Sequence, residues 1–463
     1  MEVCASRIAY PRTPAAQDPL QIRSRTPRAA IALVAMTSKT TIGLGLLGCG
    51  TVGQSFCQLI DAQREEIERR TGLCFEVRRI AVRDTSKTRE GIDSALLTSR
   101  PQDVVEADDV DVVIEAMGGV ELANELVMAA FAAGKPVVTA NKELLALHGP
   151  ELFEAASNAG VDLGLEAAVA AGLPFIRALR KSLVGENVTR VMGIVNGTTN
   201  YILSQMAEHG ASYEDALAEA QELGFAEADP TADVGGFDAG SKAAIIATLA
   251  FRQAVRASDV FVEGIESTTA ADIARAASLG QVIKLLAIVQ RNDDGSISAR
   301  VHPTMVSTSH PLASVRDSFN AVYVEGDGID QVMFYGRGAG GHPTAAMMVG
   351  DAIDAAVNRT TGCNSGVGPL PDATVRPIED VHSAFYIGLD AIDQPGVLSE
   401  IASVFGQRSV SIKSMEQEGM GDDARLMFIT HDAAESAVRS TLDDLRGLDV
   451  VRNVGQVLRV IGD

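Results

Sequence analysis

Thr41-Ile-Gly-Leu-Gly-Leu-Leu-Gly-Cys-Gly-Thr-Val-Gly53 is the stretch on which the reading of this chain turns. Ile42 to Leu47 is a short apolar run of the buried-strand type, and Gln54 to Arg70 carries a helical pattern. Strand, G-x-G-x-x-G and helix in that order form the context that a dinucleotide-binding turn requires. Gly48 permits the tight turn, Gly50 lets a pyrophosphate approach the main chain, and Gly53 lets helix and strand pack closely. Thr51 and Val52 open the helix whose N-terminus faces the phosphates. The bland alternative is a structural glycine turn.

Working outward, the next strand, Phe75 to Val82, ends in Arg83-Asp84, with Lys87 and Arg89 nearby. An acid at such a strand end suits the ribose hydroxyls of NAD, whereas an arginine accommodates a 2′-phosphate. Arg83 and Lys87 therefore support NADP(H), with NAD(H) left open beside a plain charged loop. Strands Val110 to Ala116 and Pro136 to Ala140 follow, each leading into a helix. This alternation implies a parallel sheet with ligands at the carboxyl ends of its strands. Lys142 stands at one such end, where it could reach a nicotinamide or a substrate.

At 463 residues the chain has room for two to four domains. A net charge of -22 argues against nucleic acid or an anionic membrane as partner, because both need a basic footprint. Five cysteines without C-x-x-C spacing indicate neither a disulfide framework nor a zinc site, and fit a reducing cytoplasm. Residues 1–38 carry five arginines against Glu2 and Asp18 and read as a disordered extension. That segment is either transit-peptide-like or, more simply, translated from a start upstream of a true first residue at Met36. No apolar run elsewhere is long and clean enough to span a bilayer.

Past Val161 the pattern changes. Leu163 to Pro174 is a strand entering a turn of small residues, followed by a helix from Phe175 to Leu183; the turn reads as close-packed, or as a ring of bare carbonyls for a cation. Strand Val191 to Val195 runs into Asn196-Gly-Thr-Thr-Asn200, where Gly197 and Thr198 could receive a carboxylate. After a helix at Tyr213 to Leu223 comes Glu227-Ala-Asp-Pro-Thr-Ala-Asp-Val-Gly-Gly-Phe-Asp-Ala-Gly-Ser-Lys242. Asp238 and Lys242 are four apart and share a helical face. By itself this stretch also reads as a solvated, capped helix start.

Gly48 to Gly53, Thr139-Ala-Asn-Lys142, Glu166-Ala-Ala-Val-Ala-Ala-Gly-Leu-Pro174, Asn196 to Asn200, Gly224 to Lys242 and Gly338-Ala-Gly-Gly-His-Pro-Thr344, in that order, resemble homoserine dehydrogenase over about Thr41 to Cys363. The resemblance implies reversible NAD(P)H-dependent reduction of L-aspartate 4-semialdehyde to L-homoserine, in threonine, methionine and isoleucine biosynthesis. It places Lys142 and Lys242 beside the reacting oxygen, with Asp238 orienting Lys242. Glu227, Asp233, Gly197 and Thr198 fall in the substrate pocket, and Gly340 beside the cofactor. Two close lysines should lower each other's pKa. The resemblance also implies a monovalent cation, sodium or potassium, on the carbonyls of Glu166, Val169, Ala171 and Leu173, although Ala170 and Ala171 stand where many relatives carry glycine.

Downstream, Gln281 to Val289 reads as a helix, Ile297 to Val306, Asn320 to Glu325 and Gln331 to Tyr335 as strands, and Thr344 to Val357 as a helix returning to the cofactor domain. The last module has β-α-β-β-α-β order with Asp393-Gln-Pro-Gly-Val-Leu398 after its first strand, and resembles an ACT domain. That resemblance implies threonine as effector at Asp393, Pro395, Gly396, Val397 and Leu398; a purely dimerising module is the alternative. The resulting fold class is α/β. A Rossmann-like nucleotide-binding domain at 39–165, completed by about 335–360, is followed by an α+β catalytic and dimerisation domain at 166–334. A linker at 361–380 leads to a ferredoxin-like ACT domain at 381–463, and the assembly implied is a homodimer or homotetramer. Two rival functions stand beside this one. Aspartate-semialdehyde dehydrogenase needs a reactive thiol, and neither Cys49 nor Cys363 is suitably placed; a catalytically silent amino-acid sensor would not need Lys142, Glu227, Asp238 and Lys242.

Overall fold

The structure, a computed structural model, describes residues 40–419 and 424–462, so the extension at 1–38 lies outside the described residues. The nucleotide-binding half is built on β1 (Thr40–Leu47), β2 (Leu73–Ala81), β3 (Leu97–Thr98), β4 (Val112–Glu115), β5 (Val137–Thr139) and β6 (Leu163–Gly164). They form one parallel sheet in the order β3-β2-β1-β4-β5-β6. This is the doubly wound order, whose direction reverses between β1 and β4 and opens a crevice there. Leu44, Leu46 and Leu47 are fully buried because both faces of β1 are covered.

The connecting helices are α1 (Thr51–Ala62), α2 (Arg64–Thr71), α3 (Gln102–Val105), α4 (Glu121–Ala132) and α5 (Lys142–Ala159). The single helix expected from Gln54 to Arg70 is broken at Gln63. The charged run of α2 leaves the sheet and buries Ile67 alone, and Gly72 ends it in the left-handed region at φ 74°.

The second half begins with α6 (Phe175–Arg177), which continues as a π-helical turn over Ala178–Ser182. It is followed by β7 (Val188–Ile194), α7 (Gly197–His209), α8 (Tyr213–Glu222), α9 (Thr231–Val234) and α10 (Phe237–Phe251). Then come β8 (Phe261–Val262), α11 (Ala270–Ser278), β9 (Gln281–Arg291), β10 (Ile297–Ser307), β11 (Phe319–Gly326) and β12 (Asp330–Arg337). The segment expected to be a helix from Gln281 to Val289 is strand β9. A run apolar on both faces does not distinguish helix from strand by periodicity, and antiparallel pairing with β10 along its whole length decides for the strand. Helix α12 (Gly341–Thr361) returns to the nucleotide half and packs Ala345, Met348, Ala352 and Ala356 into its core.

The C-terminal module contains β13 (His382–Ala391), α13 (Val397–Gln407), β14 (Ile412–Glu418), β15 (Ala424–Thr430), β16 (Ala433–Ala434), α14 (Glu435–Arg446) and β17 (Val451–Ile461). Its sheet does not stand apart. β17 pairs in parallel with β10, Thr304 opposite Arg459 and Val306 opposite Ile461, so catalytic and C-terminal strands share one eleven-stranded sheet.

At this seam the buried Arg459 guanidinium donates to Glu435 at 3.0 and 2.7 Å and to Glu263 at 2.9 Å. Removing one partner strands the other charge in a medium that solvates it poorly. Glu435→Ala is therefore expected to lower unfolding stability by about 3 kcal/mol in a denaturant titration, whereas Glu379→Ala, whose contact with Arg439 is exposed, should change it little.

Candidate active site

The crevice at the β1/β4 reversal is a cleft of about 950 Å³. Gly48, Cys49 and Gly50 form one wall and Ala116 to Val120 the other, with Arg83, Asp84, Lys87 and Arg89 at its far end. Each glycine has a separate cause. A Cβ on Gly48, at φ 97°, would meet the Ala116 carbonyl oxygen at 2.5 Å, and one on Gly53 the Gly48 oxygen at 2.6 Å. At Gly50 a Cβ would meet nothing within 4 Å, so its main chain is bare toward the cleft. Arg89 braces the loop by donating to the carbonyls of Lys87 at 2.9 Å and Asp84 at 3.2 Å, and Asp84 itself accepts from Ser86 at 2.6 and 3.0 Å. Thr51, Val52 and Gly53 lie in the first turn of α1. Gly340 caps α12 nearby, where a Cβ on Gly341 would strike Ser55 Oγ at 2.6 Å.

A second cluster lies beyond the end of β5. Buried Glu115 accepts from Thr139 Oγ1 at 2.5 Å and from the Met117 amide at 2.9 Å, which fixes the turn before α5. Asn141 then caps α5 through the Leu144 amide and donates to the Gly119 carbonyl at 2.7 Å, tying the lysine's turn to the cleft wall. Lys142, the first residue of α5, forms an ion pair with Asp238 Oδ1. Lys242 Nζ lies 2.7 Å from Asp238 Oδ2 and donates to the Val195 carbonyl at 2.7 Å. One buried carboxylate thus stands between two ammonium groups, one from each half of the molecule.

At Lys142 the electrostatics correct the expectation of a lowered pKa. Burial does press the Lys142 pKa down, but the Asp238 carboxylate beside it outweighs burial and holds the lysine above its ordinary value. Burial likewise opposes charge on Asp238, and Lys242 and Lys142 together overcome it and hold that carboxyl well below the usual carboxylate range.

Asn196 organises the rest. Its Nδ2 donates to Asp233 Oδ1 at 2.6 Å and to Asp238 Oδ2 at 2.9 Å, while its Oδ1 caps α7 through the Thr199 amide. The site reading from sequence omitted it, although an asparagine at a strand end opening a helix is the available signal. Thr198 spends its hydroxyl on the Phe225 carbonyl at 2.6 Å, and a Cβ on Gly197 would press on the Ser318 oxygen at 2.7 Å. Thr198 thus holds the segment that leads to Glu227, and Gly197 lies against the turn before β11. Glu227 itself is exposed, with its carbonyl held by Gln221 Nε2 at 3.0 Å.

The turn from Glu166 to Leu173 is almost wholly buried. Ala170 takes φ 50°, the left-handed region that glycine adopts without strain. The Glu166 carboxylate receives the Ile176 and Arg177 amides at 2.7 and 2.6 Å, and burial together with nearby Asp351 pushes its pKa up to about 7. The Leu173 carbonyl accepts from the Phe175 amide at 2.8 Å and keeps one lone pair. In the C-terminal module Gly396, at φ 98°, opens α13, Asp393 accepts from Gln417 Nε2 at 3.1 Å, and Leu398 is exposed.

Three family models match the chain: homoserine dehydrogenase, NAD binding domain, over residues 48–166; homoserine dehydrogenase over 174–353; and ACT domain over 385–450. The homoserine dehydrogenase of Corynebacterium glutamicum is 47% identical, covering 92% of this chain and 96% of the relative. The crystal structure of a homoserine dehydrogenase from Thiobacillus denitrificans superposes with TM-score 0.86 at 40% identity, covering 91% of this chain and 98% of that one. A hyperthermophilic archaeal homoserine dehydrogenase in complex with NADPH superposes with TM-score 0.58 at 27% identity, over 69% of this chain and 98% of that one.

Two outcomes follow from this geometry. Gly50→Val should fold like the wild type, since its Cβ meets open space, yet weaken nicotinamide dinucleotide binding by about tenfold or more in calorimetric titration. Asp238→Asn removes the anion that sustains both ammonium groups, so Lys142 should lose its proton at lower pH than in the wild type, read from its ¹³Cε shift.

Proposed function

The chain belongs to the homoserine dehydrogenase family and carries an ACT domain, and from that premise we propose how its residues reduce L-aspartate 4-semialdehyde to L-homoserine. The observation that carries the reading is the Lys142–Asp238–Lys242 cluster, joined through Asn141 and Gly119 to the wall of the dinucleotide cleft. A bound nicotinamide supplies or accepts the hydride. The chain supplies the proton and holds the substrate.

Lys142, more exposed than Lys242 and kept charged by Asp238, gives its proton to the carbonyl oxygen and takes it back in the reverse direction. Lys242 already has two acceptors, Asp238 and the Val195 carbonyl, which fix its ammonium as a stationary positive charge beside the same oxygen. Asp238 is a positioning residue for both lysines. Glu227 receives the substrate ammonium, and Asp233 and the loop set by Gly197 and Thr198 close the pocket around it. This intact cluster leaves the silent-sensor alternative without support.

NADP(H) is the preferred cofactor in this reading, with NAD(H) also accepted, because Arg83 and Lys87 stand at the far end of the cleft while Asp84 is engaged by Ser86. A sodium or potassium ion on the carbonyls of Glu166, Val169, Ala171 and Leu173 would brace the turn between the two halves; the left-handed Ala170 and the spare lone pair on Leu173 favour it. Threonine is the effector proposed for the turn from Asp393 to Leu398, in a cytoplasmic homodimer or homotetramer. Among the described residues the four cysteines are free thiols, in keeping with a reducing compartment, and no helix is long and apolar enough to cross a membrane.

NADPH oxidation with aspartate semialdehyde should be supported by the wild type and fall about 10²- to 10⁴-fold in Lys142→Ala. Unchanged turnover in that variant would sink the proton assignment. Reduction should decline only as pH climbs through the raised Lys142 pKa, with the decline at lower pH in Asp238→Asn. Arg83→Ala should raise the KM for NADPH and leave that for NADH nearly unchanged. Threonine inhibition is best tested in Asp393→Ala rather than by deleting the module, because deletion would uncover the β10 edge.

A further inference from the structure

Besides the two sites above, the chain contains a polar cavity of about 190 Å³ between α11 and the face of the C-terminal sheet turned away from α13 and α14. Its walls bear two cations, Arg275 and Arg425, and two anions, Asp272 and Asp390. This balance of charge is unusual in a chain with so large an acidic excess. The cavity owes its space to Gly388 on β13 and Gly455 on β17. A Cβ on Gly388 would come within 3.1 Å of the Tyr386 hydroxyl and 3.7 Å of Arg275 Nη1.

The charges are not all spent on one another. The Arg275 side chain is only 14% exposed, yet its nearest carboxylate oxygen among the described residues, Asp272 Oδ1, is 3.7 Å away, beyond a hydrogen bond. Asp272 is held elsewhere: its Oδ2 accepts from the Thr269 amide at 3.0 Å and hydroxyl at 2.5 Å. Asp390 receives Arg425 at 2.6 Å on one oxygen, while its other oxygen has a long contact of 3.3 Å with Asn453. The buried Tyr386 hydroxyl has no hydrogen bond of normal geometry. A nearly buried guanidinium with no hydrogen-bonded carboxylate among the described residues and the partly exposed Asp390 carboxylate line the same cavity. Such a pair recognises a carboxylate and an ammonium carried by one small molecule.

We propose that this cavity is a second ligand site, separate from the turn at Asp393 to Leu398, and that it takes a small zwitterionic α-amino acid. The ligand carboxylate lies on Arg275 and Arg425 and its ammonium on Asp390. The position gives the site a route to the chemistry. Helix α11 packs on α7, and the Asn196 cap of α7 holds both Asp233 and Asp238. An amino acid that draws α11 and the C-terminal sheet together acts on that cap through one intervening helix.

The test uses the full chain with L-threonine, L-valine, L-isoleucine and L-methionine as probes, each in calorimetric titration and thermal shift. At least one should bind the wild type, and its affinity should fall about tenfold or more in Arg275→Gln and in Arg425→Gln. The unliganded melting temperature and basal turnover of the more exposed Arg425→Gln should match wild type, so that a folding defect in Arg275→Gln would not hide the result. The corresponding amino-acid amide, which lacks the carboxylate, should not bind. Asp393→Ala should leave this affinity unchanged. Loss of binding in Asp393→Ala with full binding in both arginine variants would overturn the cavity site and leave the turn standing. Equal binding of acid and amide, or no binding by any of the four probes, would also overturn it.

Discussion

The Asp238 carboxylate is the constraint on which the arrangement of the two halves depends. A carboxylate removed from water keeps its charge only if cations stand against it, and here Lys142 comes from α5 of the nucleotide-binding half and Lys242 from α10 of the other. The halves cannot separate at this point without leaving a buried charge unpaired. The same contact that orders the two lysines also ties the two halves together. Asn196, anchored at the start of α7, limits which rotamer Asp238 can take and adds the second half's own framework to the arrangement.

Much of the nucleotide-binding half was legible in the sequence because its signals are local. A glycine turn between an apolar strand and a helix identifies itself within a dozen residues, and repeated alternation implies a parallel sheet, although the two-residue β3 left no signal. Lys142, Asp238 and Lys242 could be singled out for the same reason, each lying at a strand or helix end with a readable turn. What escaped was settled by distant partners. β9 became a strand because β10 lies alongside it, and no feature of Val282 to Val289 alone reports that. The share of Asn196 in holding two aspartates depends on α9 and α10 folding back over it. The effect of Asp238 on Lys142 also depends on three-dimensional order, because the carboxylate raises a lysine pKa that a second lysine alone would lower.

Charge is distributed with similar economy. A chain with a formal charge of -22 prepares for an anionic cofactor by aiming main-chain amides from the glycine turn and placing a few arginines and lysines at the cleft's far end. At the buried Arg459, two glutamates and the Phe261 ring face one guanidinium. Local pairing, not overall balance, determines what each region can bind.

The parallel pairing of β10 with β17 has a consequence for how the chain is made. β10 emerges from the ribosome well before β17. Until β17 arrives, Thr304 to Val306 of β10 lack their partner on one edge, while β9 pairs the other edge along its whole length. Such an edge invites pairing with other copies, and a contact so distant in sequence closes slowly. The C-terminal module therefore also completes the outer edge of β10, and a chain without β17 leaves Thr304 to Val306 open to pairing with another copy.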